Sequence, residues 1–179
     1  MSDLEAAVLR VVRGERAAFA DIVHATSDRL VRLAARMTGN MADAEEIVQE
    51  AYVKAYRALT AGRFDRRSSV ETWLYRIVAN AAIDALRERA RRPEPRDLAG
   101  DVPLEHVSGL DEAEARLALR ELADFMQDLP PDQRAALVLK SLEGLTSTEI
   151  AELSGSSEGA VEQRLVRARA VLRERIGRA

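Results

Sequence analysis

The sequence predicts an all-α protein of two small helical domains joined by a flexible linker, with a helix-turn-helix in the C-terminal domain. Apolar residues recur at three- and four-residue steps along most of the chain, the period of a helix buried on one side. No segment alternates as a strand does. Helix breakers concentrate between Arg91 and Gly109. We therefore assign residues 1–92 to one domain, 93–110 to the linker and 111–179 to a second domain, and expect the domains to move independently.

Four helices are predicted in the N-terminal domain: Leu4–Arg13, Ala17–Met37, Asp43–Leu59 and Val70–Arg92. Gly39 ends the second helix as its C-cap, because glycine adopts the left-handed conformation that this position requires. Asp43 is predicted to cap the third helix, since Glu46 stands at the capping-box position. Trp73 lies beside Leu74 on the apolar side of the fourth helix, which favours a core position over a stacking platform.

The C-terminal domain is predicted to contain four more helices, covering Asp111–Leu129, Asp132–Leu142, 146–154 and 157–176. Pro131 suits the first turn of the second of these, where a missing N–H costs nothing. Thr146 and Glu149 form a T-x-x-E capping box that begins the third. Ser156 or Ser157 caps the last helix.

The last two helices have the spacing of a DNA-reading helix-turn-helix. Ala151 is small enough for the helices to cross closely, Gly155 tolerates a positive φ in the turn, and Val161 fills the angle between them. The stretch Arg164–Arg178 holds six arginines and only Glu174 as an opposing charge, which favours a polyanionic partner. The alternative is an ordinary helical hairpin with a solvated basic face.

Composition restricts the class of protein further. The net charge of −3 divides into −1 over 1–62, +4 over 63–96, −8 over 97–133 and +2 over 134–179, which indicates two anion-binding surfaces flanking an acidic segment. There is no cysteine, and His24 and His106 lack metal-ligand spacing. Because there is no apolar run of membrane length and no signal peptide, we expect a cytoplasmic protein without membrane insertion, metal or cofactor.

Three segments together resemble a bacterial RNA polymerase sigma factor of the extracytoplasmic-function (ECF) group, which keeps only regions two and four. They are DAEEIVQEAYVKAYRAL at 43–59, SVETWLYRIVANAAIDALRERARR at 69–92 and LPPDQRAALVLKSLEGLTSTEIAELSGSSEGAVEQRLVRARAVLRERI at 129–176. Their order and spacing are more specific than the helix-turn-helix alone. The resemblance implies a specificity subunit, not an enzyme, that binds core polymerase, directs it to promoters with -10 and -35 elements, and helps to separate the DNA strands.

By this resemblance the third helix docks on the clamp helices of the largest polymerase subunit through an exposed acidic and aromatic face: Asp43, Glu46, Gln49, Glu50, Tyr52 and Tyr56. Such a face pairs with basic groups on a partner while the apolar side stays in its own domain. The residues alone leave open a merely solvated row with one favourable pair at i,i+4, Glu50 and Lys54.

The resemblance assigns recognition and opening of the -10 element to the arginine loop and the fourth helix: Arg63, Arg66, Arg67, Arg76, Asn80, Asp84 and Arg87. Opening DNA requires a pocket for an extruded base and cations for the released strand. Asn80 offers a base-edge hydrogen bond. Asp84 has the alternative of bracing a neighbouring side chain.

The -35 element is assigned to the last helix: Ser156, Ser157, Glu158, Ala160, Glu162, Gln163, Arg164 and Arg167. In a helix-turn-helix the first turns of this helix enter the major groove, and later cations lie along phosphates. Glu162 stands where relatives commonly carry a basic or small residue. We expect it near DNA, where a carboxylate accepts from a cytosine amino group or repels phosphate.

The resemblance also implies an anti-sigma factor that clamps between the two domains. Two other classes of protein fit parts of the sequence. A stand-alone helix-turn-helix repressor would dimerise and bind palindromic DNA. A carboxylate-bridged metal enzyme would use Glu45, Glu46 and Glu50, but the chain has no Glu-x-x-His pair.

Overall fold

The computed structural model describes residues 3–91, here called the N-terminal half, and 124–176, the C-terminal half. Helices with both ends in these ranges are α1 (Asp3–Val12), α2 (Phe19–Thr38), α3 (Met41–Thr60), α4 (Val70–Arg91), α5 (Pro131–Ser141), α6 (Ser147–Ser154) and α7 (Glu158–Ile176). A 3-10 turn, Arg16–Ala18, precedes α2, and residues 124–127 are helical. The all-α prediction is confirmed. The predicted linker and most of the predicted helix Asp111–Leu129 lie outside the described residues.

The N-terminal half is a bundle in which α2 packs along α3 and α4, and α1 covers one side of α2. Its largest fully buried side chains come from all four helices and are Val11, Ile22, Leu33, Met37, Leu59, Val70, Leu74 and Val78. Each helix turns its apolar stripe inward, so the burial that favours folding also sets the rotation of each helix. The polar sides of α3 and α4 consequently point outward.

The turn between α2 and α3 confirms one predicted cap and corrects another. Gly39 is the C-cap of α2 with φ +71°. Asp43 is not the N-cap of α3, because the helix begins two residues earlier and Asn40 caps it by accepting from the Asp43 N–H at 3.1 Å. Asn40 has the extended backbone of an N-cap, which leaves Asp43 in the first turn. There its carboxylate pairs with Arg89 of α4.

The C-terminal half is a compact group in which α7 packs against both α5 and α6. Pro131 occupies the first turn of α5, as predicted. Leu139, Ile150, Val161 and Leu165 are almost completely buried between the three helices. This core fixes the angle between α6 and α7, and so fixes which side of α7 faces solvent.

The two halves pack directly on each other. α4 contacts α5 and α6, and α2 contacts α5. Arg134 of α5 is buried and lies at the carboxyl end of α2, where its Nη1 is 3.5 Å from the Thr38 carbonyl oxygen and 2.6 Å from Gln127 Oε1. A helix end presents carbonyls without partners, and these stabilise a cation. The sequence predicted domains that move independently, because the linker is rich in helix breakers and poor in apolar residues. It gave no sign of this packing, since contacts between residues so far apart in the chain leave no periodic pattern.

None of the helices in the described ranges is both long and apolar enough to cross a membrane.

Candidate nucleic-acid interface

α6 and α7 form the predicted helix-turn-helix, and its capping box is present. The Glu149 N–H donates to Thr146 Oγ1 at 3.2 Å, and the Thr146 N–H donates to the Glu149 carboxylate at 2.8 Å. The bond from the Thr146 backbone, followed by the bond from its hydroxyl, lowers the pKa of Glu149 below its ordinary value. Gly155 has φ +62° in the turn, and Val161 is fully buried between the helices. The predicted offsets of this motif are therefore confirmed.

The start of α7 shows which of two serines, Ser156 or Ser157, caps this helix, a choice that the sequence left open. Ser157 is the cap, because its Oγ accepts from the Ala160 N–H at 3.2 Å. Ser156 instead lies 2.8 Å from Ser154 Oγ and accepts from Arg164 Nη1 at 3.0 Å. Ser156 and the half-buried Arg164 therefore hold the turn against the helix, so their polar groups are already engaged within the motif.

The outward side of the first turns of α7 carries the remaining predicted -35 residues. Ser157, Glu158, Gln163 and Arg167 are exposed, and Ala160 is half-buried among them. This side offers one hydroxyl, one carboxylate, one amide and one cation to a groove. Hydrogen-bonding side chains at the start of such a helix are the groups that read base edges.

Glu162 is exposed, but its carboxylate is engaged inside the motif. The hydroxyl of the buried Ser147, at the start of α6, donates to Glu162 Oε1. This bond ties the first turn of α6 to the second turn of α7. The sequence, which placed Glu162 toward DNA, contained no signal for its pairing with a residue fifteen positions earlier.

The later turns of α7 present a basic surface. Arg167, Arg169 and Arg173 are exposed, whereas Arg175 lies 2.7 Å from Asp128 and over the ring of Phe125. Arg178 lies outside the described residues. Arg167 lies one turn beyond Gln163 on the same side of α7, as a phosphate contact on a groove wall does, whereas Arg169 and Arg173 lie on a different side of the helix.

A second cationic surface lies on α4 and is called here the α4 face: Arg76, Asn80, Asp84 and Arg87. These residues follow at steps of four, four and three, so they share one side of the helix. Arg63, Arg66 and Arg67 are exposed in the loop before α4, and Arg66 holds a left-handed backbone with φ 58°. A residue other than glycine in this region is unusual, and such strain often accompanies a functional loop.

Carboxylates of the C-terminal half already lie against the α4 face. Arg87 donates to Asp132 of α5 from Nη2 at 2.8 Å and from Nε at 3.1 Å. Arg76 lies 3.8 Å from Glu152 of α6. Asp84 lies 3.4 Å from Arg87, so it braces that side chain as the sequence analysis allowed.

Aromatic packing at α4 differs from the prediction in two places. Trp73 is half-buried and packs on Phe64 of the arginine loop, with ring centres 4.8 Å apart. The sequence analysis did not select Phe64, although an aromatic residue among loop arginines is typical of a surface that binds single-stranded nucleic acid. Tyr75 was also missed and is buried, because α4 packs against helices on more than one side. Its burial raises the pKa of its hydroxyl.

The predicted polymerase-docking residues on α3 divide into exposed and buried groups. Glu46, Gln49 and Glu50 are exposed in adjacent turns. Tyr52 is not exposed, which corrects the prediction.

The two tyrosines of α3 instead help to hold α3 to α2. The Tyr52 side of the helix faces α2, so the residue keeps only 8% of its surface accessible. Its hydroxyl lies 2.7 Å from Thr26 Oγ1, and burial raises its pKa. Tyr56 is half-buried with its ring edge-on to Phe19.

The acidic residues do not assemble a metal site within the described ranges, where no group of three histidine, cysteine or carboxylate side chains is placed to hold an ion. Glu45, Glu46 and Glu50, the residues of the metal-enzyme alternative, are all exposed on α3.

Known proteins match both halves of the chain. The sigma-70 region 2 family matches residues 7–92, and the sigma-70 region 4 family matches residues 119–172. The ECF RNA polymerase sigma factor SigW of Bacillus subtilis is 34% identical over 94% of this chain and 94% of its own length.

Two solved structures share the fold. CnrH, solved in complex with the cytosolic domain of CnrY, is 26% identical with a TM-score of 0.63, covering 96% of this chain and 95% of its own. The sigma factor RpoE of Bartonella quintana, solved with the anti-sigma factor NepR, is 24% identical with a TM-score of 0.65, covering 87% of this chain and 94% of its own. This chain is therefore similar to sigma factors along nearly its whole length.

Proposed function

The chain belongs to the ECF group of RNA polymerase sigma factors, and from this premise we propose how its surfaces divide promoter recognition. Residues 1–92 bind core polymerase and the -10 element, residues 111–179 bind the -35 element, and 93–110 connect them. The observation that carries the division is the presence of two separate cationic surfaces, one on α7 and one on α4. As a sigma factor the chain directs initiation, and we assign it no chemistry of its own.

In the C-terminal half, the exposed Ser157, Glu158 and Gln163 set the base preference at -35, and Arg167 binds a phosphate. Arg164 and Ser156 contribute by holding the turn, since their polar groups bond each other. Glu162 contributes in the same way through Ser147. This division follows from exposure and from the bonds that already engage Arg164, Ser156 and Glu162 within the motif.

In the N-terminal half, the α4 face and the loop arginines hold the -10 element as it opens. Arg63, Arg66 and Arg67 lie at the amino end of α4, so they extend the cationic surface along one direction. Asn80 is the one neutral donor and acceptor on the α4 face, which suits it to a base edge better than to a phosphate. The role of Asp84 is to orient Arg87.

Core polymerase docks on the exposed acidic side of α3 formed by Glu46, Gln49 and Glu50. Asp43 lies at the edge of this surface, where it is paired with Arg89. Tyr56 supplies a partly exposed aromatic edge, and Tyr52 is left out because it is buried. An exposed acidic patch favours a basic partner surface and fast association.

A regulatory protein partner and a cytoplasmic location complete the proposal. CnrH and the Bartonella quintana RpoE were both solved with protein partners, the latter with an anti-sigma factor. We extend such a partner to this chain, binding where the two halves meet. The location follows from the function, because a subunit of RNA polymerase works where the polymerase is.

Reconstituted transcription tests the proposal. The purified chain is added to core polymerase with a promoter library randomised at both elements, and transcripts are sequenced to recover the selected promoters. We expect transcripts from a two-part promoter only when the chain is present. Binding to palindromic DNA as a dimer, without stimulation of transcription, would favour the repressor alternative.

A further inference from the structure

The α4 face, which the proposed function assigns to -10 DNA, is opposed by carboxylates from the other half of the same chain. Asp132 accepts two hydrogen bonds from Arg87, and Glu152 lies beside Arg76. Arg87 and Arg76 are the cations that the proposed function directs to DNA phosphates. The C-terminal half therefore places negative charge where the DNA backbone would lie.

A further contact outside the α4 face joins the halves. Arg36 of α2 donates to Glu143, in the turn after α5, at 2.7 Å. Glu143 keeps only 10% of its side chain exposed, whereas the side chains of the two pairs at the α4 face are 35–64% exposed. Exposed pairs are weak and are screened by salt. The contacts that cover the α4 face are thus readily exchanged.

The buried part of the interface is shaped for a specific fit. Gln127 Nε2 donates to the Thr38 carbonyl at 3.2 Å, directly over Gly39. A Cβ at Gly39 would lie 1.4 Å from that nitrogen, so a larger residue there would require the Gln127 side chain to move. The residue that caps α2 therefore also lies under a contact between the two halves.

In this packed arrangement the two DNA-binding surfaces lie too close together to reach both promoter elements at once. The centres of the -10 and -35 elements are about 25 base pairs apart, or roughly 85 Å at 3.4 Å per pair. A compact chain of this length has a radius of gyration of about 16 Å. The halves must therefore separate, and the 32 residues between residues 91 and 124 reach roughly 105 Å when fully extended.

We propose that Asp132 and Glu152 form an intramolecular latch that substitutes for DNA phosphates and keeps the free chain closed. This inference rests on the proposed function for the meaning of the α4 face. In the closed state single-stranded DNA must compete with the two carboxylates for Arg76 and Arg87. Events that pull the halves apart, such as docking on polymerase, expose both cations together.

Distance measurements on the full chain test the latch. The chain has no cysteine, so Ala61→Cys with Ala170→Cys, both at exposed positions, accepts a fluorophore pair without other changes. We expect a compact distance distribution at low salt that broadens to longer distances when salt is raised. The double variant Asp132→Asn, Glu152→Gln should shift this broadening to lower salt concentrations than in the parent chain.

Binding to single-stranded DNA of random sequence gives the second readout. A slope of about 0.7 per phosphate corresponds to roughly fivefold in affinity per recovered contact at 0.1 M salt, so we expect the double variant to bind at least about fivefold more tightly. The matched control, Asp28→Asn with Glu45→Gln, removes the same charge at two exposed positions that make none of the contacts just described between the halves. It should change affinity much less.

Equal affinities for the latch variant and its control, or long distances in the parent chain at low salt, would overturn the latch. Transcription with core polymerase is measured on the same proteins. If the latch variant differs from the parent in distance and affinity as expected, but the parent never stimulates transcription, the latch is supported and the proposed function is refuted. If the parent stimulates transcription but the latch variant shows neither change, the proposed function is supported and the latch is refuted.

Discussion

Arg167 and Arg164 of α7 differ in their surroundings, so their alanine variants should differ in kind. Arg167 is exposed on the outward side of the helix, while Arg164 is half-buried and donates to Ser156 at 3.0 Å. Both are arginines one turn apart on the same helix. Arg167→Ala is therefore expected to remove a phosphate contact, and Arg164→Ala to loosen the turn.

The size of each effect follows from these contacts. One lost phosphate contact lowers the salt slope of duplex binding by about 0.9, so between 50 and 200 mM salt the parent's affinity should fall about 3.5-fold further than that of Arg167→Ala. This is roughly 0.7 kcal/mol and should be the same for every sequence. Arg164→Ala loses a hydrogen bond from a charged donor, which costs about 1.5–3 kcal/mol of stability when the partner stays buried, and less here because the site is only half-buried.

The assay is fluorescence anisotropy with a -35 duplex recovered by selection, measured at several salt concentrations, together with thermal unfolding of each variant. We expect a reduced slope and unchanged unfolding temperature for Arg167→Ala. Arg164→Ala should keep the parent slope and unfold at a lower temperature. Equal slopes for the two variants would show that exposure in the free protein does not identify the phosphate contact.

Four further variants test the remaining assignments. Reversing Glu46 and Glu50 to lysine should lower the affinity for core polymerase at physiological salt, measured by surface plasmon resonance, and unchanged binding would remove α3 as the docking helix. Asn80→Ala should reduce permanganate-reactive thymines more than it reduces closed-complex formation, and normal strand separation would remove Asn80 from the -10 site. Tyr52→Phe should destabilise the fold by about 1 kcal/mol in urea unfolding while polymerase affinity stays at the parent level, since its hydroxyl bonds Thr26; a loss of affinity with normal stability would return Tyr52 to the docking surface. Glu149 has a lowered pKa in the folded chain, so its capping bonds stabilise at pH values above its ordinary pKa and are lost as the pH falls through the lowered value; Glu149→Gln should flatten this part of the stability-against-pH curve, and a parallel acid limb would refute the contribution.

Local rules predicted the helix ends that depend on neighbouring residues. The Thr146 and Glu149 capping box and the glycine caps at Gly39 and Gly155 were all readable, because their hydrogen bonds span only a few residues. The N-cap of α3 was predicted at Asp43, whereas Asn40 caps the helix, for a related reason. Both are good capping residues three positions apart, and local preference alone does not decide between them.

Exposure of individual site residues needed the tertiary structure. Tyr52 and Tyr56 occupy polar-looking positions of α3, yet packing against Phe19 and Thr26 draws the first of them inside. Ser156 and Arg164, which the sequence predicts at the -35 DNA, bond each other in the free chain. A helical period gives the side of the helix on which a residue lies, but the neighbouring helix decides whether that side is covered.

By itself, the sequence determined the helices, the helix-turn-helix and the sigma-factor family, since periodicity, caps and motif order are properties of contiguous residues. Only the tertiary structure decided how the halves meet. Arg134 sits on the carbonyl end of α2, and Asp132 and Glu152 lie against Arg87 and Arg76. Each contact joins residues more than forty positions apart, and such pairing depends on the free energy of the whole packed chain, which no local pattern records.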